Sequence, residues 1–471
     1  MQYSMKKIVL AIAMAFPVAA FAQSAQDLKA ELEALKIKVK QLEDMVEKVS
    51  AKADMNAAAG AADGEMKTEF NRVKLNSEAM GEQLEASGFK GLKISGYMDP
   101  TYIMNQRQNT SSFVFMKNFG NPNSQGGPGS GASYTYDNAF FGSALISFEK
   151  EMEGGTKWLL ELMPHKSGGD GGGYNTNSIV NQAFVTIPLD SGTKFIAGQV
   201  GSWQGYEYQR ADMKKTITGN LLFDFTGPTF MTGVGLDHLD GKWETKAIIG
   251  NLNNGRITDR RSPTLHWRVD YSMNEFTGIG AAGVHGKPWS GASLNYGELD
   301  TYFTRGNISL MGQVETGQLK SGSFTGEDTN WFGLSALAAY KFTPRLEGLV
   351  RGDYIRNQKN GGGTPNLTFP ECNQSTGLPQ SGSGTLCGDA RNGFGPSLTA
   401  IQAFNADPSI GLKGTNRAAL TFGMNYTINS NATLKLELRH DRASQDVFYD
   451  VKSGTYKNNN TLLGVSTLVK F

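Results

Sequence analysis

From Gly91 to the last residue, apolar and polar side chains alternate with a period of two. In 262–272, Leu265, Trp267, Val269 and Tyr271 share one face and His266, Arg268 and Asp270 share the other. In 344–357, Leu346, Gly348, Val350, Gly352 and Tyr354 oppose Arg345, Glu347, Arg351 and Asp353. In 432–446, Leu434, Leu436 and Leu438 oppose Lys435, Glu437, Arg439 and Asp441. Successive side chains of a strand point to opposite faces, so each segment predicts a strand with one apolar and one charged surface. Such a strand fits a wall between hydrocarbon and a wet interior, or one layer of a soluble sandwich.

Counting separates the two. Strands are predicted near 91–106, 134–150, 156–167, 178–189, 193–208, 228–238, 242–252, 262–272, 275–286, 294–305, 307–319, 328–342, 344–357, 416–428, 432–446 and 458–471, about 16 in all. Their connections alternate in length: 107–133 long, Glu151–Gly155 short, 168–177 long, Asp190–Gly192 short, 209–227 long, Leu239–Gly241 short. The same rhythm returns with 358–415, Asn429–Asn431 and 447–457. Sorted short turns and long loops suit a barrel with one rim facing the periplasm and the other the exterior; a sandwich has no reason for them. The expected fold is all-β, a transmembrane antiparallel barrel over 91–471 preceded by an α-helical coiled coil. An even strand count returns both ends to the short-turn side. The last strand sets Leu463, Val465, Thr467 and Val469 on the face of the terminal Phe471, an outward strand with an interfacial aromatic.

The region before Gly91 has other periods. Lys6 and Lys7 precede an apolar run from Ile8 to Phe21 that closes on Ala20-Phe21-Ala22, which predicts a cleaved secretory signal over 1–22. Leu28, Leu32, Leu35, Val39, Leu42, Val46 and Val49 then follow a spacing of alternating fours and threes, so 23–50 is expected to form a self-associating coiled coil. The alternative is a lone helix packed on its own barrel. Residues 51–90 read as a small-residue linker and a weaker helix.

Mean hydropathy is −0.36, and no later run reaches spanning-helix length. The formal charge of +1 becomes −1 when the two lysines Lys6 and Lys7 leave, which points to no nucleic-acid partner. The only two cysteines, Cys372 and Cys387, sit in one Gly/Pro/Ser-rich stretch, and in an oxidising compartment they predict a loop disulfide. His165, His238, His266, His285 and His440 lack metal-ligand spacing, and His266 beside Arg268 is expected as a solvated wall residue. No Gly-x-Ser-x-Gly elbow or P-loop occurs. No catalytic residue, metal or cofactor is expected.

Three stretches resemble the trimeric porin superfamily, and within it the phosphate-selective-porin-like branch that carries an N-terminal periplasmic coiled coil. They are Gly91-Leu-Lys-Ile-Ser-Gly-Tyr-Met-Asp-Pro100, Lys194-Phe-Ile-Ala-Gly-Gln-Val-Gly-Ser-Trp203 followed by Glu207, and the closing strand at Phe471. The resemblance implies a homotrimer in the outer membrane, in contact with its lipid, passing small hydrophilic solutes or ions by passive diffusion. It makes Phe471 a signal read by the barrel insertion machinery. It also implies that the third long loop, 209–227, folds inward as a constriction. Arg210, Asp212, Lys214, Lys215 and Asp224 would then face Arg268, Arg351 and Arg439, and their sign would select ions. Otherwise 209–227 is an exterior loop with solvated charges. Glu161, Glu298, Asp300, Glu315, Glu347, Asp353, Glu437 and Asp441 share the wet face, so strict phosphate selectivity is not implied. A second reading makes the chain a structural protein, tethered through its coiled coil to a periplasmic partner or the cell wall.

Overall fold

In the computed structural model the strands are β1 (Leu92–Met98), β2 (Thr101–Asn105), β3 (Thr110–Val114), β4 (Ala144–Glu151), β5 (Lys157–Leu162), β6 (Val180–Pro188), β7 (Thr193–Gly201), β8 (Phe230–Asp240), β9 (Trp243–Leu252) and β10 (Thr264–Asn274). They continue as β11 (Thr277–Gly286), β12 (Ser293–Arg305), β13 (Ile308–Lys320), β14 (Thr329–Lys341), β15 (Leu346–Arg356), β16 (Arg417–Thr427), β17 (Ala432–Ala443), β18 (Phe448–Asp450), β19 (Thr455–Lys457) and β20 (Asn459–Lys470). The structure describes residues 91–107, 109–115, 141–163, 179–252, 263–288, 292–365 and 393–471. The signal segment, the coiled coil, the linker, Cys372 and Cys387 lie outside the described residues. The chain separates into two units, Met1–Lys90 and Gly91–Phe471.

β18 and β19 form a separate hairpin, and the other 18 strands make one sheet. Two of its staves are each built from two strands. β1 and β2 both pair with β20 on one side, and on the other β1 pairs with β4 and β2 with β3. The result is a closed antiparallel barrel of 16 staves. The β1/β2 break falls at Asp99-Pro100, where proline has no N–H to give the ladder. Asp99 fills the gap: its carboxylate accepts from Gly142 N (3.2 Å), Ser143 Oγ (2.9 Å) and Ser143 N.

This corrects one expected connection. The first hairpin does not open into a long 107–133 loop; it turns at once between Asn105 and Thr110. The long segment instead interrupts the second stave between Val114 and Ala144, since Thr110–Val114 is itself a strand paired to β2. The remaining connections keep the expected order. Turns after β4, β6, β8, β10, β12, β14 and β16 are short, and those after β5, β7, β9, β11, β13, β15 and β17 are longer. Leu92 and Phe471 both lie at the short-turn rim.

Phe471 closes the seam there. Its N–H donates to Gly96 O and its O accepts from Gly96 N, each at 3.1 Å. Its ring covers the outward side of Gly96, where a Cβ would stand 2.8 Å from Phe471 Cζ. The outward face is apolar all round: Ile249, Leu299, Phe332, Val350, Phe422, Leu438 and Leu463 are exposed. Aromatic pairs sit near its short-turn edge, with Trp243 and Tyr271 centroids 4.6 Å apart and Tyr340 and Phe342 5.2 Å apart. The inward face is not uniformly polar. Ile248, Val284, Leu294, Tyr296, Leu319, Trp331 and Ile355 form a buried apolar cluster towards the long-loop half.

Candidate functional site

The chain between β7 and β8, residues 202–229, crosses the barrel interior instead of staying at the rim. Local sequence explains its shape. Asn220 caps a one-turn helix, α1 (Leu221–Phe225), by accepting from Phe223 N at 2.7 Å, and Thr226 Oγ1 returns to Leu222 O at 2.6 Å. Leu221, Leu222 and Phe225 are therefore turned together into the inner apolar cluster, which the hydrophobic effect favours over an exposed loop.

Polar contacts fix its path. Gly205 N donates to Glu298 of β12 at 2.5 Å, and Tyr206 hydrogen-bonds Ser335 of β14. Gln209 reaches Asn181 of β6 at 2.8 Å and Arg210 reaches Glu161 of β5 at 2.8 Å, so the segment has spanned to the opposite wall. It then returns. Lys215 pairs with Glu347 of β15 at 2.6 Å, and Lys435 of β17 donates to Ala211 O and Lys214 O at 2.7 Å each. Glu437 accepts from Ile217 N (2.5 Å), Thr218 N (3.2 Å) and the Thr218 hydroxyl.

The expected site residues fall into several stations. Arg210 joins Asp212 (2.9 Å) as well as Glu161. Lys214 bonds Ile217 O at 3.1 Å, and Lys215 meets the wall. Asp224 is buried on α1; burial pushes its carboxyl up to about 7, against the pull of Arg439, Lys214 and Arg351. Arg351 pairs with Glu207 and Asp353, both at 3.2 Å, and donates to Thr218 O (2.9 Å) and Gly219 O (2.7 Å). Arg439 pairs with Asp441 at 3.0 Å and also donates to Gly219 O, at 2.9 Å. Arg268 is apart from these, bound to Asp300 (2.7 Å), Asp270 (2.6 Å) and Trp203 O (2.7 Å) at the start of the segment.

Arg351 and Arg439 have 0% exposed surface, so they grip loop carbonyls instead of facing water. The wall acids Glu161, Glu298, Glu347 and Glu437 likewise hold loop groups. His266 is fully buried against Trp203, with centroids 5.0 Å apart, and is not a solvated wall residue.

Arg417 was not singled out from the sequence. Its guanidinium pairs with Asp441 at 2.8 Å and lies over three rings: Phe225 of the crossing segment (5.3 Å), Phe394 (5.2 Å) and Phe448 (5.3 Å). Its one sequence signal was the alternation that sets Arg417 on the face of Ala419, Thr421 and Asn425. Among the described residues, no group of three or more His, Cys, Asp or Glu is placed to hold a metal ion.

Two cavities flank Tyr206–Tyr208. One, of about 310 Å³, is at the short-turn rim and is lined by Lys214, Lys215, Lys341, Arg345, Lys435 and Lys470 against Glu207, Asp212 and Glu347. Those three acids are taken by Arg351, Arg210 and Lys215. The other, of about 560 Å³, has the opposite balance, with Glu207, Glu244, Asp270 and Asp300 against Lys246 and Arg268.

The geometry defines a class: a closed antiparallel barrel whose interior is crossed and narrowed by one of its own loops. Residues 4–261 and 257–471 match a family described as "Protein of unknown function (DUF3138)", and the chain belongs to that family. No curated protein matches the sequence. Similar solved structures include the anion-selective porin from Comamonas acidovorans, at 10% identity and TM-score 0.49, covering 81% of this chain and 99% of that one. OmpT of Vibrio cholerae in its trimer form is similar at 9% identity and TM-score 0.48, with 81% and 99% covered. Salmonella typhi OmpF in complex with daunomycin is similar at 12% identity and TM-score 0.48, with 81% and 97% covered.

Proposed function

We propose that the protein is a bacterial outer-membrane porin, with its N-terminal segment in the periplasm, that lets small hydrophilic solutes diffuse passively and favours anions. The export signal, the outward apolar face and the sorting of short turns from long loops support that location. The observation that carries the function is the basic cavity beside the loop that crosses the lumen. Its acids are already paired, so Lys341, Arg345 and Lys470, exposed at the short-turn rim, stand without a carboxylate partner among the described residues and draw mobile anions to that mouth of the barrel. Nothing in the reading energises transport; flux follows the gradient.

In the same reading the protein is a homotrimer, residues 23–50 form a coiled coil in the periplasm, and Cys372 and Cys387 tie an exterior loop. Planar bilayers across a salt gradient test it: stepwise current with an anion-side reversal potential is expected. The Lys341→Glu/Arg345→Glu variant is expected to move that potential towards cation preference.

The structural reading has its own support in the apolar cluster that α1 completes inside the barrel, because a filled interior suits a scaffold. Folded, inserted protein that carries no current would select it and sink the porin reading.

A further inference from the structure

A different surface carries a second kind of partner. On the outward face of β15, alternation places Arg356 two residues beyond Tyr354, and Ile355 between them is fully buried on the inner side. Register then runs sideways from Tyr354 to Ala418 and on to Arg442, which is also exposed and outward because Asp441 and Ala443 are buried. Two arginines therefore stand just above the outward apolar belt, with Leu420 and Phe422 exposed below them.

Two lysines complete the group. Gly414 N donates to Gln358 O at 2.8 Å and Gly361 N to Leu412 O at 2.9 Å, so the backbones that carry Lys413 and Lys359 run side by side next to Arg356. Gln445 Nε2 donates to Lys413 O at 2.9 Å and ties the same segment to the end of β17. All four bases are exposed, and none has a carboxylate partner among the described residues. Asp407, in the same loop, is turned to Ser409, at 3.0 Å from its N and 2.6 Å from its Oγ.

Unpaired guanidinium and ammonium groups at the edge of an apolar belt fit an amphiphile whose acyl chains lie along the belt and whose phosphates meet the bases. We infer that Arg356, Lys359, Lys413 and Arg442 form a docking site for the phosphorylated headgroup of a glycolipid in the outer leaflet. This rests on the outer-membrane reading with the long-loop rim outside.

The test titrates detergent-solubilised full-length protein with bisphosphorylated lipid A and with its dephosphorylated form, and counts bound lipid by native mass spectrometry. The wild type is expected to bind the phosphorylated form preferentially. A basic side chain at an anionic lipid surface is worth about fivefold, so Arg356→Glu/Arg442→Glu is expected to weaken binding by at least about 25-fold while both proteins bind the dephosphorylated form alike. Lys359→Glu/Lys413→Glu supplies the same readout from the loop if the arginine variant folds poorly. Equal binding of the wild type and both variants, or no preference of the wild type for phosphate, overturns the site. Insertion into phosphatidylcholine vesicles separates the two claims: a wild type that inserts but ignores lipid A loses only this site, and one that fails to insert loses the membrane reading too.

Discussion

Three arginines, Arg351, Arg417 and Arg439, are buried without exposed surface on the inner side of the barrel. A charge removed from water is tolerated only when paired and hydrogen-bonded, and each of these is. Arg351→Ala strands Asp353 and Glu207 in the interior and is expected to cost about 3–5 kcal/mol, read as an earlier urea transition in micelles. Asp224 behaves oppositely. Its folded-state pKa of about 7 lies above the ordinary carboxyl value of 3.8, so the folded protein holds that proton more tightly than the unfolded chain. Its contribution is present in full below pH 3.8 and declines as pH rises to about 7. Asp224→Asn is expected to raise the thermal midpoint at pH 8 and leave it nearly unchanged at pH 3.5. A larger gain in acid than in base would refute this account. The alternation marked Arg351 and Arg439 as inward. It did not mark them as buried, because burial comes from residues 216–219, which are more than a hundred positions away in sequence.

At the scale of elements, the strand count and facing were legible because period two is a local property. β15 and β17 face as their residues predicted. The second stave was misread, because Thr110–Val114 is too short to stand out beside the polar stretch after it; only its pairing to β2 makes it a strand. The seam that closes the barrel, β1 and β2 against β20, ends at the short-turn rim in the contact between Gly96 and Phe471. Gly96→Val would push the Phe471 ring off the seam and meet Leu145 O. We expect a lower yield of heat-modifiable, folded barrel on SDS gels, whereas Ser95→Val on the inner face changes it little. Equal yields for the two would remove the seam from the account.

At the scale of the molecule, the barrel unit Gly91–Phe471 carries its own sheet closure and its own crossing loop. Deleting residues 27–86 is expected to leave single-channel conductance per barrel unchanged. Loss of envelope integrity with normal solute uptake would point to a tethering role for residues 27–86; loss of conductance would show that this segment shapes the pore.

The sequence alone determined the strands and their two faces, since an alternation of apolar and charged side chains is a local property; the strand count and the lengths of the connections, not the alternation, separated a barrel from a sandwich. It also determined the sorting of turns from loops, which is written in chain length. Only the tertiary structure decided what fills the interior. Whether residues 202–229 hang outside or cross to Glu161, and whether Arg268, Arg351 and Arg439 meet water or loop carbonyls, depends on pairing partners brought together by closing the sheet. Such contacts have no period in the sequence.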